Sequence, residues 1–462
     1  MFSTTTKRRL AICLATVSMG SGLALTSGST PAAADPMQLS ALVGAGSDTT
    51  MEIMNAMAGF ASGNGYRPIN SGATGGYKHL ASWDATPAQT ASDNCITPVI
   101  NGPTFTRPNG STEGRKSLYA SSTSAVAGWT GKAFTLDSGT VLPVCATAVN
   151  IGGTINFARS SSGGSGTGTD VVFVPFARDG ITFATYRPDG GTPLSTLTRK
   201  NLIDAFNSDT RITVPDPDGT GDLTIIPCGI QKGSGTFQSF QSVISQPTSG
   251  DPKEDAATLQ CNNMSNGSLT GGSRVQESKG DLLKQKGDWL NASPSTLAGT
   301  NFVVVAGFSA AAYIAQSNGV APANGVANLT IGGISDNSTS GTGGSNLGSP
   351  VTGTAPNMGP NPTFYADSTF GRNVFNVVRR SLLINTSTLA PLSNAYVAIF
   401  ADTDTDVNTT TGISGGTVDN SSSKNSSTLC QEGARLQLFG FAETEICGSY
   451  TFLTRPWETG AS

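Results

Sequence analysis

The sequence predicts an α/β chain of two lobes, and three observations carry that prediction. From Asp170 onward, apolar strand-like runs alternate with segments at helical spacing, the pattern of a largely parallel sheet covered by helices. Several of these runs lead into Gly-, Ser- and Thr-rich turns that open a helix. About 428 of the 462 residues remain after an N-terminal processing segment, more than one typical core holds.

That segment is Lys7-Arg8-Arg9, the apolar stretch Leu10–Leu25 and Ala32-Ala33-Ala34 before Asp35, which reads as a secretory signal peptide (1–34) cleaved after Ala34. Cys13 invites a lipoprotein reading, but Ile12 is bulky where a small residue is wanted. A secreted protein is therefore expected. No later stretch has the roughly 20 apolar residues of a membrane span.

The first strand is expected at Leu39–Val43, followed by the turn Gly44-Ala45-Gly46-Ser47-Asp48-Thr49-Thr50 and a helix whose face is Met51, Met54, Met57, Ala58 and Ala61. A second polar loop is Asn70-Ser71-Gly72-Ala73-Thr74-Gly75-Gly76. Residues 64–150 read as a long irregular excursion. Phe157-Ala158-Arg159-Ser160-Ser161 reads as another polar loop that sets a cation beside two hydroxyls. Val171–Phe176 and Ile181–Tyr186 are strand-like, with Arg178-Asp179-Gly180 as the turn between them. Thr198 caps a helix through Phe206.

Leu223–Pro227 is a further strand, and Gly229-Ile230-Gln231-Lys232-Gly233-Ser234-Gly235-Thr236 turns it into a helix carrying Phe237, Phe240, Val243 and Ile244. At such a turn the first backbone N–H groups lack intrahelical partners, so glycines and hydroxyls there make a seat for a small oxyanion. Leu282, Leu283 and Trp289 suggest a helix, Phe302–Val305 a buried strand and Ser309–Gln316 a short helix. Residues 330–360 are expected as loop, Gly371–Val378 and Ala395–Phe400 as strands, and Cys430–Phe441 as a late helix.

A formal charge of −4, with charged residues at 13%, argues against nucleic acid and against a polybasic membrane foot. Neutrality does not forbid anion binding, since dipoles and a few cations suffice. Without Cys13 six cysteines remain, which allow fifteen connectivities. They fall into sequence-local pairs, so Cys95–Cys145, Cys228–Cys261 and Cys430–Cys447 are expected. With no C-x-x-C pair and one histidine, neither a metal site nor a cofactor is expected.

No enzyme is expected. The G-x-S-x-G match at Gly412–Gly416 lacks the strand and helix of a nucleophile elbow, and His79 has no evident Ser or Asp partners. Asp402, Asp404 and Asp406 alternate as in a calcium loop, but Val407 replaces the turn glycine and no Glu stands at the twelfth position. No P-loop occurs.

The ordered set Gly44-Ala45-Gly46-Ser47, Ser71–Gly76, Val174–Ile181, Leu197–Phe206 and Gly233-Ser234-Gly235-Thr236 resembles the phosphate-specific solute-binding proteins of ABC transporters, most of all their secreted actinobacterial branch. The resemblance implies a type II periplasmic-binding-protein-like fold: two lobes joined by two crossover strands, stapled here by disulfides. It implies lobe 1 over 35–175 with an insertion at 78–155, lobe 2 over 176–305, and a return to lobe 1 over 306–462, the crossovers falling near Val174–Arg178 and Val305–Phe308.

It also implies an interlobe ligand site built from Ser47, Thr49, Thr50, Ser71, Arg159, Ser160, Gly233, Ser234, Gly235 and Thr236. This chain has Arg159 and Ser160 where the family keeps an acidic residue, and Gln231-Lys232-Gly233 where it keeps Arg-x-Asp-Gly. Arg159 or Lys232 is then the substitute cation, and Asp48 a candidate acceptor for a protonated oxygen. The implied function is capture of inorganic phosphate or a related tetrahedral oxyanion by a monomer that serves an ABC permease. The alternative is an extracellular adhesion or matrix protein that keeps the lobed fold without a transport role.

Overall fold

The computed structural model describes residues 41–58, 69–70, 77–88, 90–123, 128–136, 138–208, 210–219, 221–245, 261, 274–292, 297–323, 325–402, 427, 429–430 and 432–459. In chain order the main elements are β1 (Ala41–Gly46), α1 (Met51–Met57), β2 (Tyr77–Ser82), α2 (Ser111–Ser122), β3 (Phe157–Ser160) and β4 (Val171–Tyr186). There follow α3 (Arg199–Asn207), β5 (Asp222–Cys228), α4 (Gly235–Val243), α5 (Gly280–Asn291), β6 (Phe302–Ser309) and α6 (Ala310–Ser317). The last are α7 (Pro362–Ala366), β7 (Gly371–Arg379), α8 (Ala395–Phe400) and α9 (Gly433–Leu438).

Among the described residues one mixed sheet of 11 strands runs through the molecule. Its central path is β5-β6-β4-β7-β3-β1-β2, with the short strand Thr213–Pro215 outside β5 and Ile69–Asn70 outside β2. The pairs β1–β2, β1–β3 and β5–β6 are parallel, whereas β4 pairs antiparallel with both β6 and β7. The sheet thus carries its parallel pairs within the two flanks and is antiparallel through its middle and at both outermost short strands. A largely parallel sheet was the expectation.

The difference comes from β4. Arg178-Asp179-Gly180 is no turn: the 16 residues Val171–Tyr186 form one strand, buried almost throughout. Its first part pairs with β7 and its last part with β6, so one long strand ties the two flanks together. Gly180 supplies close packing, because a Cβ there would meet Tyr365 Cε2 at 2.8 Å. Val305–Phe308, where the resemblance implies the return, lies in β6 beside the far part of β4, and α6 directly after it packs Ala311 and Ala315 against the cluster that holds Ile53 and Phe157.

Each flank has its own apolar clusters. Ile53, Met54, Phe157, Val174 and Phe400 join one, and Phe183, Leu202, Phe206, Phe240 and Val305 another. Burying such a side chain is worth ~1.5–3 kcal/mol. The described residues hold together as a single unit.

Other elements follow their local chemistry. Thr198 caps α3 by accepting from Asn201 N while Asn201 Oδ1 accepts from Thr198 N at 3.1 Å, a reciprocal capping box. Ala395–Phe400, expected as a strand, is a helix, since Asn394 Oδ1 accepts from both Tyr396 N and Val397 N and a six-residue apolar run fits either state. The stretch expected as loop at 330–360 carries short strands at Thr330–Ile331, Gly333–Asp336, Val351–Thr352 and Gly359–Pro360.

The excursion at 64–150 hides α2, whose buried residues Ser111, Glu113, Gly114, Arg115, Ser117, Leu118, Ala120 and Ser121 are mostly polar or small and so show no apolar periodicity. Gly114 lets α2 approach β1, because a Cβ there would meet Gly46 Cα at 2.6 Å. The three cysteine pairs are joined as expected, with Cα–Cα distances of 5.5 Å for Cys95–Cys145, 5.2 Å for Cys228–Cys261 and 5.8 Å for Cys430–Cys447.

Candidate functional site

The loop after β1 and the N-terminus of α4, distant in sequence, meet over the middle of the sheet. Thr49 Oγ1 and Thr236 Oγ1 stand 3.0 Å apart. Both hydroxyls donate to Glu277 Oε1, Thr236 at 2.5 Å. A hydroxyl has one proton to give, so with both protons on Glu277 the threonines touch each other only through their oxygens.

Arg372 on β7 completes the arrangement. Its Nη2 donates to Thr236 Oγ1 at 2.8 Å and to Thr49 Oγ1 at 3.3 Å. The same guanidinium pairs with Asp179 Oδ2, from Nη2 at 2.8 Å and from Nε at 3.2 Å, while Nη1 donates to Ser161 O at 2.9 Å. The register of β4 with β7 sets Arg372 directly across from Asp179. Asp179 in turn accepts from Ser309 Oγ and, at 3.0 Å, from Ala311 N at the start of α6. Arg372 therefore polarises the two threonine hydroxyls from one side, and a carboxylate oxygen takes their protons from the other. Glu277 is 1% exposed, and its Oε2 has no hydrogen-bond partner among the described residues. Such a buried acceptor costs ~1–3 kcal/mol.

A hydroxyl cluster lies beside this centre. Ser47 Oγ donates to Ser161 Oγ at 2.9 Å, and Ser161 N donates to Ser111 Oγ at 3.0 Å. Gly235 is required here: a Cβ would meet Ser161 Oγ at 2.2 Å and Ser111 Oγ at 2.6 Å. Gly233, at φ +88°, lends its carbonyl to Thr112 N at 3.2 Å, so the turn before α4 is docked on the start of α2. Gln276 Nε2 bridges Asp48 Oδ2 at 2.9 Å and Gln231 Oε1 at 2.5 Å.

Several expected ligand residues have other duties. Arg159 is fully buried beneath the first loop, where Nε donates to Ser47 O at 3.2 Å and Nη1 to Ser82 Oγ at 2.8 Å. It shapes the loop instead of facing the threonines, because Phe157–Ser160 is a sheet strand and not a polar loop. Burial pulls its guanidinium down to about 10, against the support of Asp84, Asp48 and Glu52. Ser160 accepts from Arg115 Nη1 at 2.9 Å and donates to Ser162 O at 2.7 Å. Ser234 Oγ caps α4 by accepting from Phe237 N at 2.9 Å. Thr50 is buried at the start of α1, its hydroxyl without a partner among the described residues. Lys232 is exposed, and Ser71 lies outside the described residues.

The surroundings are acidic. Burial, then the nearby Glu277, raises the Asp48 carboxyl to about 7. Burial, then Asp84 and Asp48, raises Glu52 to about 8. No group of three His, Cys, Asp or Glu side chains among the described residues could hold a metal ion, and none of their helices is long and apolar enough to cross a membrane.

Neither Arg372 nor Glu277 lies in a motif that marks it locally. Ser161 falls in the polar run Phe157–Ser161, but its convergence with Ser111 depends on α2, which has no apolar stripe.

No family model and no curated protein matches the chain. Solved structures do. A putative phosphate ABC transporter substrate-binding protein from Clostridium perfringens, with bound phosphate, is 13% identical over 74% of this chain and 87% of its own, at a TM-score of 0.35. An ABC-type phosphate transport receptor from Vibrio cholerae is 12% identical over 76% and 91%, at 0.34. The high-affinity periplasmic phosphate-binding protein PfluDING, with phosphate bound, is 11% identical over 87% and 90%, at 0.38. At these values the ligand must be argued from the chain's own side chains.

Proposed function

We propose that this chain captures inorganic phosphate, or a related tetrahedral oxyanion, at the seat formed by Thr49, Thr236 and Arg372, and that it performs no chemistry on it. The observation that carries this reading is the seat's present occupant. Two hydroxyls backed by one guanidinium already hold a carboxylate oxygen, Glu277 Oε1, and charge-assisted donors that hold one oxyanion suit another. The hydroxyls of Ser47, Ser111 and Ser161 lie beside them. In this reading the protein is exported with its signal peptide removed after Ala34, works as a monomer and hands its ligand to an ABC permease.

Thermal melting tests the ligand class. Saturating phosphate raises the Tm of wild type and leaves Arg372→Lys unmoved, because a point charge cannot serve Asp179, Thr236 and Ser161 together; equal shifts in both would remove the seat from consideration. The same self-occupied seat favours a second reading, an extracellular adhesion or matrix protein that has closed an ancestral ligand site with its own carboxylate. Release from cells with binding to polymers or surfaces, and no shift with any oxyanion, would support it.

A further inference from the structure

We propose that Glu277 is an internal competitor for the oxyanion seat, so that bound phosphate and the Glu277 carboxylate exclude one another; this rests on the oxyanion reading above. The seat's donors are spent on Glu277: Thr49 and Thr236 both give their protons to Oε1, and each has only one. A phosphate taking those protons would bring its own oxygens against the Glu277 oxygen that already accepts them, and two acceptors facing each other with no proton between them repel. Ligand and side chain therefore use one set of donors in turn.

Glu277 is also a partly satisfied occupant. Its Oε2 is buried with no partner among the described residues, whereas a tetrahedral anion can turn further oxygens toward neighbouring hydroxyls. The side chain has somewhere to go, since Glu277 lines a small, partly open cavity of about 30 Å³ together with Asp48, Glu52, Lys279, Gln316 and Phe439. It sits in the short turn between the bridge residue Val275 and the start of α5 at Gly280, so it can leave the threonines by local rotation with the sheet unmoved. The consequence is an affinity set by the chain's own carboxylate as well as by the donors.

Titration of inorganic phosphate by calorimetry into wild type, Glu277→Gln and Glu277→Ala, at one pH and ionic strength, tests this. Glu277→Gln keeps size and shape, and near-ultraviolet circular dichroism reports whether each variant stays folded. The expected result is phosphate affinity about tenfold or more higher in both folded variants than in wild type. Equal or weaker binding in both variants, with wild type still binding, overturns the competitor role and leaves the oxyanion reading standing. Binding in none of the three folded proteins overturns that reading itself, and the inference with it.

Discussion

Arg372 and Asp179 face each other directly across the antiparallel strands β4 and β7, with Nη2 2.8 Å from Oδ2 and the Asp179 side chain fully buried. One ion pair thereby fixes two things. Asp179 also accepts from Ser309 and Ala311 at the start of α6, and the guanidinium that neutralises it holds Thr49 and Thr236.

Removing the cation should therefore damage fold and seat together. Arg372→Met leaves a buried carboxylate uncompensated, a loss on the order of 3–5 kcal/mol. Urea unfolding followed by circular dichroism should show it, and a loss under 1 kcal/mol would mean that Ser309 and Ala311 satisfy Asp179 by themselves.

Gly235 is a steric requirement at the meeting point of α4, Ser111 and Ser161. Gly235→Ala places a Cβ 2.2 Å from Ser161 Oγ, and overpacking of that kind costs ~1–3 kcal/mol. A lowered Tm is expected, together with weaker phosphate binding because α4 is pushed off the hydroxyl cluster. An unchanged Tm would show that the serines can step aside.

The raised carboxyls set a pH dependence of stability. Asp48 lies at about 7 in the folded chain against an ordinary 3.8, and Glu52 at about 8 against 4.5. Between roughly pH 4 and 8 the folded state holds protons that the unfolded chain has released, so stability falls as pH rises across that window and levels off above it. Urea midpoints measured from pH 4 to 9 should decline in wild type and decline less in Asp48→Asn with Glu52→Gln. Identical profiles would remove these groups as the cause.

The Cys228–Cys261 bond ties the end of β5, just ahead of the seat-forming turn, to a residue 33 positions on. On the chain-entropy model, replacing both cysteines by serine costs ~3–4 kcal/mol. Guanidinium unfolding measures the loss, and an unchanged midpoint would show that the closed loop adds nothing.

Thr49 and Thr236 were legible because each ends a strand-to-helix turn dense in Gly and Ser, a local signal that needs no knowledge of the partner. The capped helix at Thr198 and the sequence-local cysteine pairs were legible for the same reason. Arg372 and Glu277 were not. Arg372 gains its role from a cross-strand register with a residue 193 positions away, and Glu277 from a turn between α4 and α5 with no motif of its own. For Arg159 the local sequence is silent, because a cation beside two serines looks the same whether it faces a ligand or, as here, lies buried on a strand beneath the first loop. The long strand β4 was split in two because Arg-Asp-Gly favours a turn locally, and tertiary pairing with β7 overrode it.

The most direct test of the seat is calorimetric titration of inorganic phosphate into wild type and into the double variant Thr49→Val, Thr236→Val, which keeps shape and removes both hydroxyls. Saturable 1:1 heat in wild type, absent from a double variant that still melts cooperatively, is the expected result. No heat in wild type, or the same heat in both proteins, would contradict the assignment of Thr49 and Thr236 as oxyanion donors.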